Sequence, residues 1–321
     1  VQTVLWVKGS GGDLGSMGLD GFSTLYLDKL ERLKGLYRGL EHEDEMVGYL
    51  PHCTFNLNPR AASIDTPLHA FIPYKHVDHM HPDAVIAIAC TKNSKDLTEK
   101  VWGGEMGWLP WQRPGFDLGL RLEEVAKSDP SLKGIILEGH GLFTWGETSK
   151  DCYETTLAIL QTAADWLADN NKTDAFGGAK YTGPLDNDQR RRVAAGLMPL
   201  LRGKITGDQG KVGHFNDSAE VLQFVNSNDL EQLAALGTSC PDHFLRTKIR
   251  PLVVDFDPTA DLEEGIANTR GGLDVQVAEY REFYAKYYER CKRDISPAMR
   301  DPNAVVFLVP GVGMITFSKD K

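Results

Sequence analysis

Four of the nine histidines fall in one short stretch, Asp65-Thr-Pro-Leu-His-Ala-Phe-Ile-Pro-Tyr-Lys-His-Val-Asp-His-Met-His-Pro82. His79 and His81 are separated by one residue. In a strand, alternate side chains share a face, so both imidazoles would point the same way with Met80 behind them. Two imidazoles begin a metal site, but zinc usually takes at least three protein ligands. The third candidate is His140, held between Gly139 and Gly141, where a backbone can approach a bound group closely. A lone histidine in that setting is more often packed core. With His79 and His81 upstream, a three-histidine site is the better reading. Three neutral imidazoles would leave an ion its full charge and open positions for a substrate. His76 is a competing ligand, although in a strand it would face away from His79 and His81. His52, His69 and His214 lack comparable context.

Positioning these side chains requires particular elements. A strand is expected at the His-x-His pair, running into a β-like apolar segment over 84–89. Before it, Thr66-Pro67 opens a helix through His69 and Phe71, with Asp65 as its N-cap. His140 would sit where a buried strand from Gly134 meets a second apolar stretch ending at Gly146. Residues 4–7 read as a strand leading into Lys8-Gly-Ser-Gly-Gly-Asp13. Such loops can cradle a phosphate with backbone amides, although most are plain turns. Helices are expected over 30–40, 118–127, 151–170, 219–225, 230–235 and 277–290, with Gly237 as a C-terminal cap. The acidic run 41–45 reads as a solvated helix end. Residues 102–115 suggest a short strand and a structured loop, and 252–256 a strand. Tyr280, Phe283, Tyr284, Tyr287 and Tyr288 form an aromatic stripe that reads as core or subunit contact.

Composition narrows the classes. The chain has 321 residues, 41% hydrophobic and 25% charged, which is enough for two domains. A net charge of −10 without a dense basic run argues against nucleic acid. Five scattered cysteines without a C-x-x-C read as reduced thiols of a cytoplasmic protein. No segment approaches the roughly 20 apolar residues of a membrane span, and no signal peptide is evident. The abrupt ends suggest a part of a larger protein. Polar, Gly-rich stretches at 172–184 and 203–213 are expected to link two halves.

A weak repeat relates those halves. Phe307-Leu-Val-Pro-Gly-Val-Gly-Met-Ile-Thr-Phe-Ser318 lines up with Ile135-Ile-Leu-Glu-Gly-His-Gly-Leu-Phe-Thr-Trp-Gly146 at an offset of 172 residues. A second match sets Cys240-Pro-Asp-His243 beside Thr66-Pro-Leu-His69. The second half has Val312 where the first has His140, and no His-x-His. It would be a degenerate copy without the metal, serving as scaffold or interface.

Ser63-x-Asp65-Thr-Pro-x-His69, His79-x-His81-Pro and Gly139-His140-Gly with Trp145-Gly146 resemble the class II aldolase/adducin superfamily. Leu5-Trp-Val-Lys-Gly-Ser-Gly-Gly-Asp-Leu14, Arg113-Pro-Gly-Phe-Asp-Leu118 and Pro241-Asp-His-Phe-Leu-Arg-Thr-Lys248 are similar to its long bifunctional branch, rhamnulose-1-phosphate aldolase/alcohol dehydrogenase. The resemblance implies a three-layer α/β/α class II aldolase fold with a mixed sheet. The expected domains are 1–175, the aldolase, and 176–321, a second α/β region. It also implies His79, His81 and His140 as ligands of Zn2+ or another divalent metal. Asp65 stands where the aldolases place a catalytic Glu and the epimerases an Asp. Ser10, Gly11 and Ser63 match positions that touch the substrate phosphate. The implied reaction is retro-aldol cleavage of a ketose 1-phosphate, foremost rhamnulose 1-phosphate, to dihydroxyacetone phosphate and L-lactaldehyde. A sugar-phosphate 4-epimerase, another class II aldolase, or a non-catalytic adducin-like module are the alternatives. A homo-oligomer is expected, and NAD only with a downstream dehydrogenase domain. This sequence carries neither that domain's Gly-x-Gly-x-x-Gly nor the upstream Gly-Gly-Asn-x-Ser of the family.

Overall fold

The computed structural model describes all residues except 1, 57–59, 172, 182, 184, 208–209, 295 and 320–321. The chain divides into two compact units, 1–171 and 172–321. The first unit runs β1 (Val4–Lys8), β2 (Phe22–Tyr26), α1 (Leu27–Leu33), α2 (Glu43–Tyr49), α3 (Thr66–Phe71), β3 (His76–Met80), α4 (Asp83–Ala89) and α5 (Ser94–Trp102). It continues with β4 (Met106–Leu109), α6 (Phe116–Ser128), β5 (Gly134–Leu137), β6 (Gly141–Gly146) and α7 (Ser149–Asn170). The second runs α8 (Asn187–Ile205), β7 (Val212–Asn216), α9 (Ala219–Val225), α10 (Leu230–Leu236), α11 (Pro241–Thr247), β8 (Leu252–Val253), α12 (Leu262–Cys291), β9 (Val306–Val309) and β10 (Gly313–Ser318).

The central sheet of the first unit has the order β3-β6-β5-β4. β4 and β5 are parallel; the other pairs are antiparallel. Alternation along β5 feeds two cores. Ile135 and Leu137 pack with α3 and α6 through Leu68, Leu118 and Leu122. Ile136 packs with α4, α5 and α7 through Val85, Ile88, Trp102 and Ile159. Burial on both faces explains why β5 reads as a continuous apolar run, and it gives three layers. Each fully buried Ile or Leu contributes about 2 kcal/mol of apolar transfer. β1 and β2 form a separate antiparallel pair.

The second unit repeats this plan, with the order β7-β10-β9-β8 and β8 parallel to β9. α8 and α12 cover one face of that sheet, and α9 and α10 the other. Its β9–β10 hairpin pairs Val306 with Thr316 and Val309 with Gly313. In the first unit Gly134 pairs with Thr144 and Leu137 with Gly141. The registers match residue for residue at the offset found in the sequence. Both turns place a glycine in the left-handed region, Gly139 at φ 61° and Gly311 at φ 77°.

Several sequence expectations change. Residues 84–89 form a helix, not a strand. Pro82 stands at its N-cap position, Asp83 is in its first turn, and Val85, Ile86, Ile88 and Ala89 are buried. A short wholly apolar run fits either state by periodicity alone. The helix expected over 30–40 stops at Leu33, tightens into a 3-10 turn through Gly35 and becomes extended at Tyr37. The acidic run begins a helix, and Glu43 is buried, accepting from Asp117 N at 3.0 Å. β8 covers 252–253 only, and α12 begins at Leu262, well before residue 277. Residues 203–205 belong to α8. The match of Cys240–His243 to Thr66–His69 fails on order, because α11 precedes β8 whereas α3 precedes β3.

Candidate metal centre

Three elements bring three imidazoles together. His79 is on β3, His81 just past its end, and His140 in the β5–β6 turn. One nitrogen from each lies within 4.8 Å of the others, and this is the only such His/Cys/Asp/Glu group among the described residues. His79 pairs across the sheet with Phe143, whose ring stacks on it at 4.1 Å and 8°. His79 Nδ1 lies 3.0 Å from Leu142 O. A carbonyl only accepts, so Nδ1 carries the proton and Nε2 keeps its lone pair. That Nε2 faces His81 Nε2 at 3.1 Å.

These side chains fit a divalent cation. Two Zn–N bonds of about 2.0–2.1 Å at a tetrahedral angle set their nitrogens roughly 3.3 Å apart. His140 is only 1% exposed, and neither ring nitrogen has a hydrogen-bond partner. A buried polar group without a partner costs about 1–3 kcal/mol, and an ion on one nitrogen would offset that cost. Burial, reinforced by the neighbouring imidazoles of His140, His81 and His69, holds the His79 pKa well below its usual value. Burial and then His81 lower that of His140 to about 4. Both rings are therefore neutral near pH 7, the form that binds metal.

Glycine makes the approach possible. A Cβ at Gly141 would stand 2.6 Å from His81 Cδ2 and 2.6 Å from Met80 O. At Gly139, where φ is positive, it would stand 3.2 Å from the Trp111 ring. Trp111 N in turn donates to Glu138 Oε2 at 2.9 Å.

The other candidates are distributed as follows. Asp65 is half-buried at the N-cap position of α3, yet its side chain makes no cap hydrogen bond. Its amide donates to Ser63 Oγ at 3.1 Å, and that hydroxyl donates to Asp65 Oδ2 at 3.5 Å. One turn along α3, the His69 ring is edge-on to His79 at 6.4 Å and to Phe143 at 5.6 Å. Burial lowers its pKa to about 4. His69 and His76 lie outside the three-histidine group. The Ser10–Gly11 loop is tied to the Ser63 segment, since Ser10 N donates to Ala61 O at 2.9 Å. The sequence reading missed Arg60, whose Nη2 donates to Ser10 O at 3.1 Å. An arginine three residues before Ser63 was the available signal.

The first unit is thus a mixed three-layer α/β unit with three clustered imidazoles at one end of its sheet. The family profile described as "Class II Aldolase and Adducin N-terminal domain" matches residues 2–167, and one described as "Aldolase class II, second domain" matches residues 192–321. The chain belongs to the class II aldolase/adducin family. It is 39% identical over 318 residues to the "Uncharacterized oxidoreductase YuxG" of Bacillus subtilis (strain 168), covering 98% of this chain and 45% of that protein. The chain thus spans under half the length of that relative. Among solved structures, it is 34% identical to the N-terminal class II aldolase domain of a conserved protein from Thermoplasma acidophilum. That match covers 51% of this chain and 75% of the other, with a TM-score of 0.46. An L-fuculose 1-phosphate aldolase is 12% identical over 61% of this chain and 80% of its own, with a TM-score of 0.37. No described helix is long and apolar enough to cross a membrane.

Proposed function

We propose that residues 1–175 form a zinc-dependent class II aldolase domain that cleaves a ketose 1-phosphate, foremost rhamnulose 1-phosphate. The products are dihydroxyacetone phosphate and L-lactaldehyde. The observation that carries this reading is the orphaned, neutral His140 imidazole beside the His79–His81 pair. His79, His81 and His140 would hold the ion. When bound, it supplies Lewis-acid stabilisation of negative charge on the substrate's ketone and hydroxyl oxygens. The carbonyl of Leu142 holds the His79 ring in its metal-binding tautomer. The Asp65 carboxyl moves the proton: the carbon released by C–C cleavage gains one, and the hydroxyl that becomes the aldehyde loses one. The Ser63 hydroxyl, which donates to that carboxylate at 3.5 Å, would turn to the phosphate when substrate binds. Ser10, Gly11 and Ser63 take the phosphate.

Asp65 also favours a second reading. It is one methylene shorter than glutamate, which suits a sugar-phosphate 4-epimerase. The second α/β region, 176–321, serves as a scaffold or interface, and the active form is a cytoplasmic homo-oligomer. The Bacillus subtilis relative is named an oxidoreductase, and this chain spans 45% of it. NAD enters this reading only if a downstream dehydrogenase domain exists.

The test is metal analysis of the purified chain paired with a retro-aldol assay on rhamnulose 1-phosphate. About one zinc per chain and chelator-sensitive cleavage are expected. Protein that stays metal-free after zinc addition overturns the site. Zinc binding with epimerisation and no cleavage selects the second reading.

A further inference from the structure

β1 runs into Lys8-Gly9-Ser10-Gly11-Gly12, and two cations sit on the carbonyls of that loop. Lys8 Nζ donates to Gly11 O at 2.8 Å and to Gly9 O at 3.3 Å. Arg60 donates to the intervening carbonyl, Ser10 O. The loop is pinned at its start, where Gly9 N donates to Gly21 O at 2.9 Å and Ser10 N to Ala61 O. Gly11 and Gly12 then adopt φ of 72° and 81°, which side-chain-bearing residues rarely take. A Cβ on Gly12 would stand 3.4 Å from Arg60 Nη2, and a Cβ on Gly9 would overlap Arg60 Cγ. Glycine at both places lets the arginine lie along the loop. Among the described residues, no main-chain acceptor is bonded to the Gly11 or Gly12 amide. A cleft of about 210 Å³ opens there, lined by these glycines, Arg60, Asp13 and Asp20 among others. The Asp13 carboxylate is turned onto its own turn, accepting from Gly15 N at 3.2 Å and the Ser16 hydroxyl at 2.8 Å.

Backbone amides beside a guanidinium are a seat for a tetrahedral dianion. We propose that Arg60 is the specificity-determining residue for the phosphate of the substrate, a role that rests on the aldolase reading for its sugar but not for its anion. The exposed guanidinium exchanges the Ser10 carbonyl for two phosphate oxygens, while the Gly11 and Gly12 amides hold a third. Lys8 stays on the loop and keeps it in shape. Arg60 thereby separates a phosphorylated ketose from the free sugar.

The test uses the zinc-loaded chain and its Arg60→Met and Arg60→Lys variants. Arg60→Met should raise KM for the ketose 1-phosphate roughly 10- to 100-fold, the worth of one charge-assisted pair, with kcat largely kept. Turnover of the unphosphorylated ketose should fall far less than that of the phosphate ester, and Arg60→Lys should recover part of the loss, since it keeps the charge and loses the fork. Calorimetry with inorganic phosphate gives a second readout that needs no turnover, and Arg60→Met should weaken that binding by a similar factor. Unchanged KM and unchanged phosphate binding in Arg60→Met overturn the assignment even where the wild type cleaves substrate. If the wild type cleaves nothing, the aldolase reading falls, and the phosphate titration alone decides Arg60.

Discussion

The two units share a strand order, a parallel edge pair and a hairpin register, yet only the first gathers histidines. At the registers occupied by His79 and His140 the second unit has Phe215 and Val312. Asp217, two residues beyond Phe215, stands in place of His81 and is bound by Arg190 Nε at 3.0 Å. Val312 is fully buried, like His140, but has no polar atom to satisfy. The comparison separates what builds the fold from what builds the site. The sheet and its two apolar faces persist without the histidines, and the histidines carry a desolvation cost that the second unit avoids.

Substitutions can set the halves against each other. The largest effect is expected from His140→Val, which copies the second unit. Metal analysis should show zinc lost and activity down by about 1,000-fold or more, the scale of removing a catalytic Lewis acid. The same change should stabilise the metal-free protein by about 1–3 kcal/mol in denaturant titration, because an unpartnered buried group is removed. A metal-free variant less stable than the metal-free wild type would break the comparison.

Asp65→Ala should retain zinc while kcat falls about 100- to 10,000-fold, the usual range for a proton-transfer group. Loss of folding would instead make Asp65 a structural residue of the turn it shares with Ser63. Gly141→Ala pushes on His81 and Met80 O. It should weaken zinc binding about 10- to 100-fold, as for a displaced supporting group. Gly313→Ala, at the matching position, crowds Asn216 O and Phe215, and should cost stability without touching metal content.

The smallest effect is on pH dependence. His69 and His140 have folded pKa values of about 4, below the ordinary 6.5. The unfolded chain therefore binds more protons between those values. The stability these neutral rings contribute is present above pH 6.5 and is lost as pH falls towards 4. Metal-free His140→Val should show a shallower decline than wild type over that window in thermal melts.

Much of this was legible in sequence. His79-x-His81 and Gly139-His140-Gly point to the cluster because the pair shares one strand face and the glycines let a backbone come close, which together outweigh the packed-core reading of His140 alone. The 135–146 and 307–318 match was legible because a buried hairpin constrains every residue of its turn. Residues 84–89 were not, since an apolar run buried on a sheet looks alike as strand or helix. Glu43 was hidden in an acidic run, and only the fold brings Asp117 N to it. Arg60 carries only a weak signal, its place three residues before Ser63, because its partner Ser10 is fifty positions away.

The hydrogen bond from His79 Nδ1 to Leu142 O bears on how fast the centre fills. The His79 ring, already fixed in one tautomer, has no rotation or proton shift of its own to complete when an ion arrives, whereas His81 must give up the proton that its Nε2 donates to His79 Nε2. Loading should then be paced by how quickly the ion sheds its water and His81 its proton, and it should quicken as pH rises, with little motion of the chain.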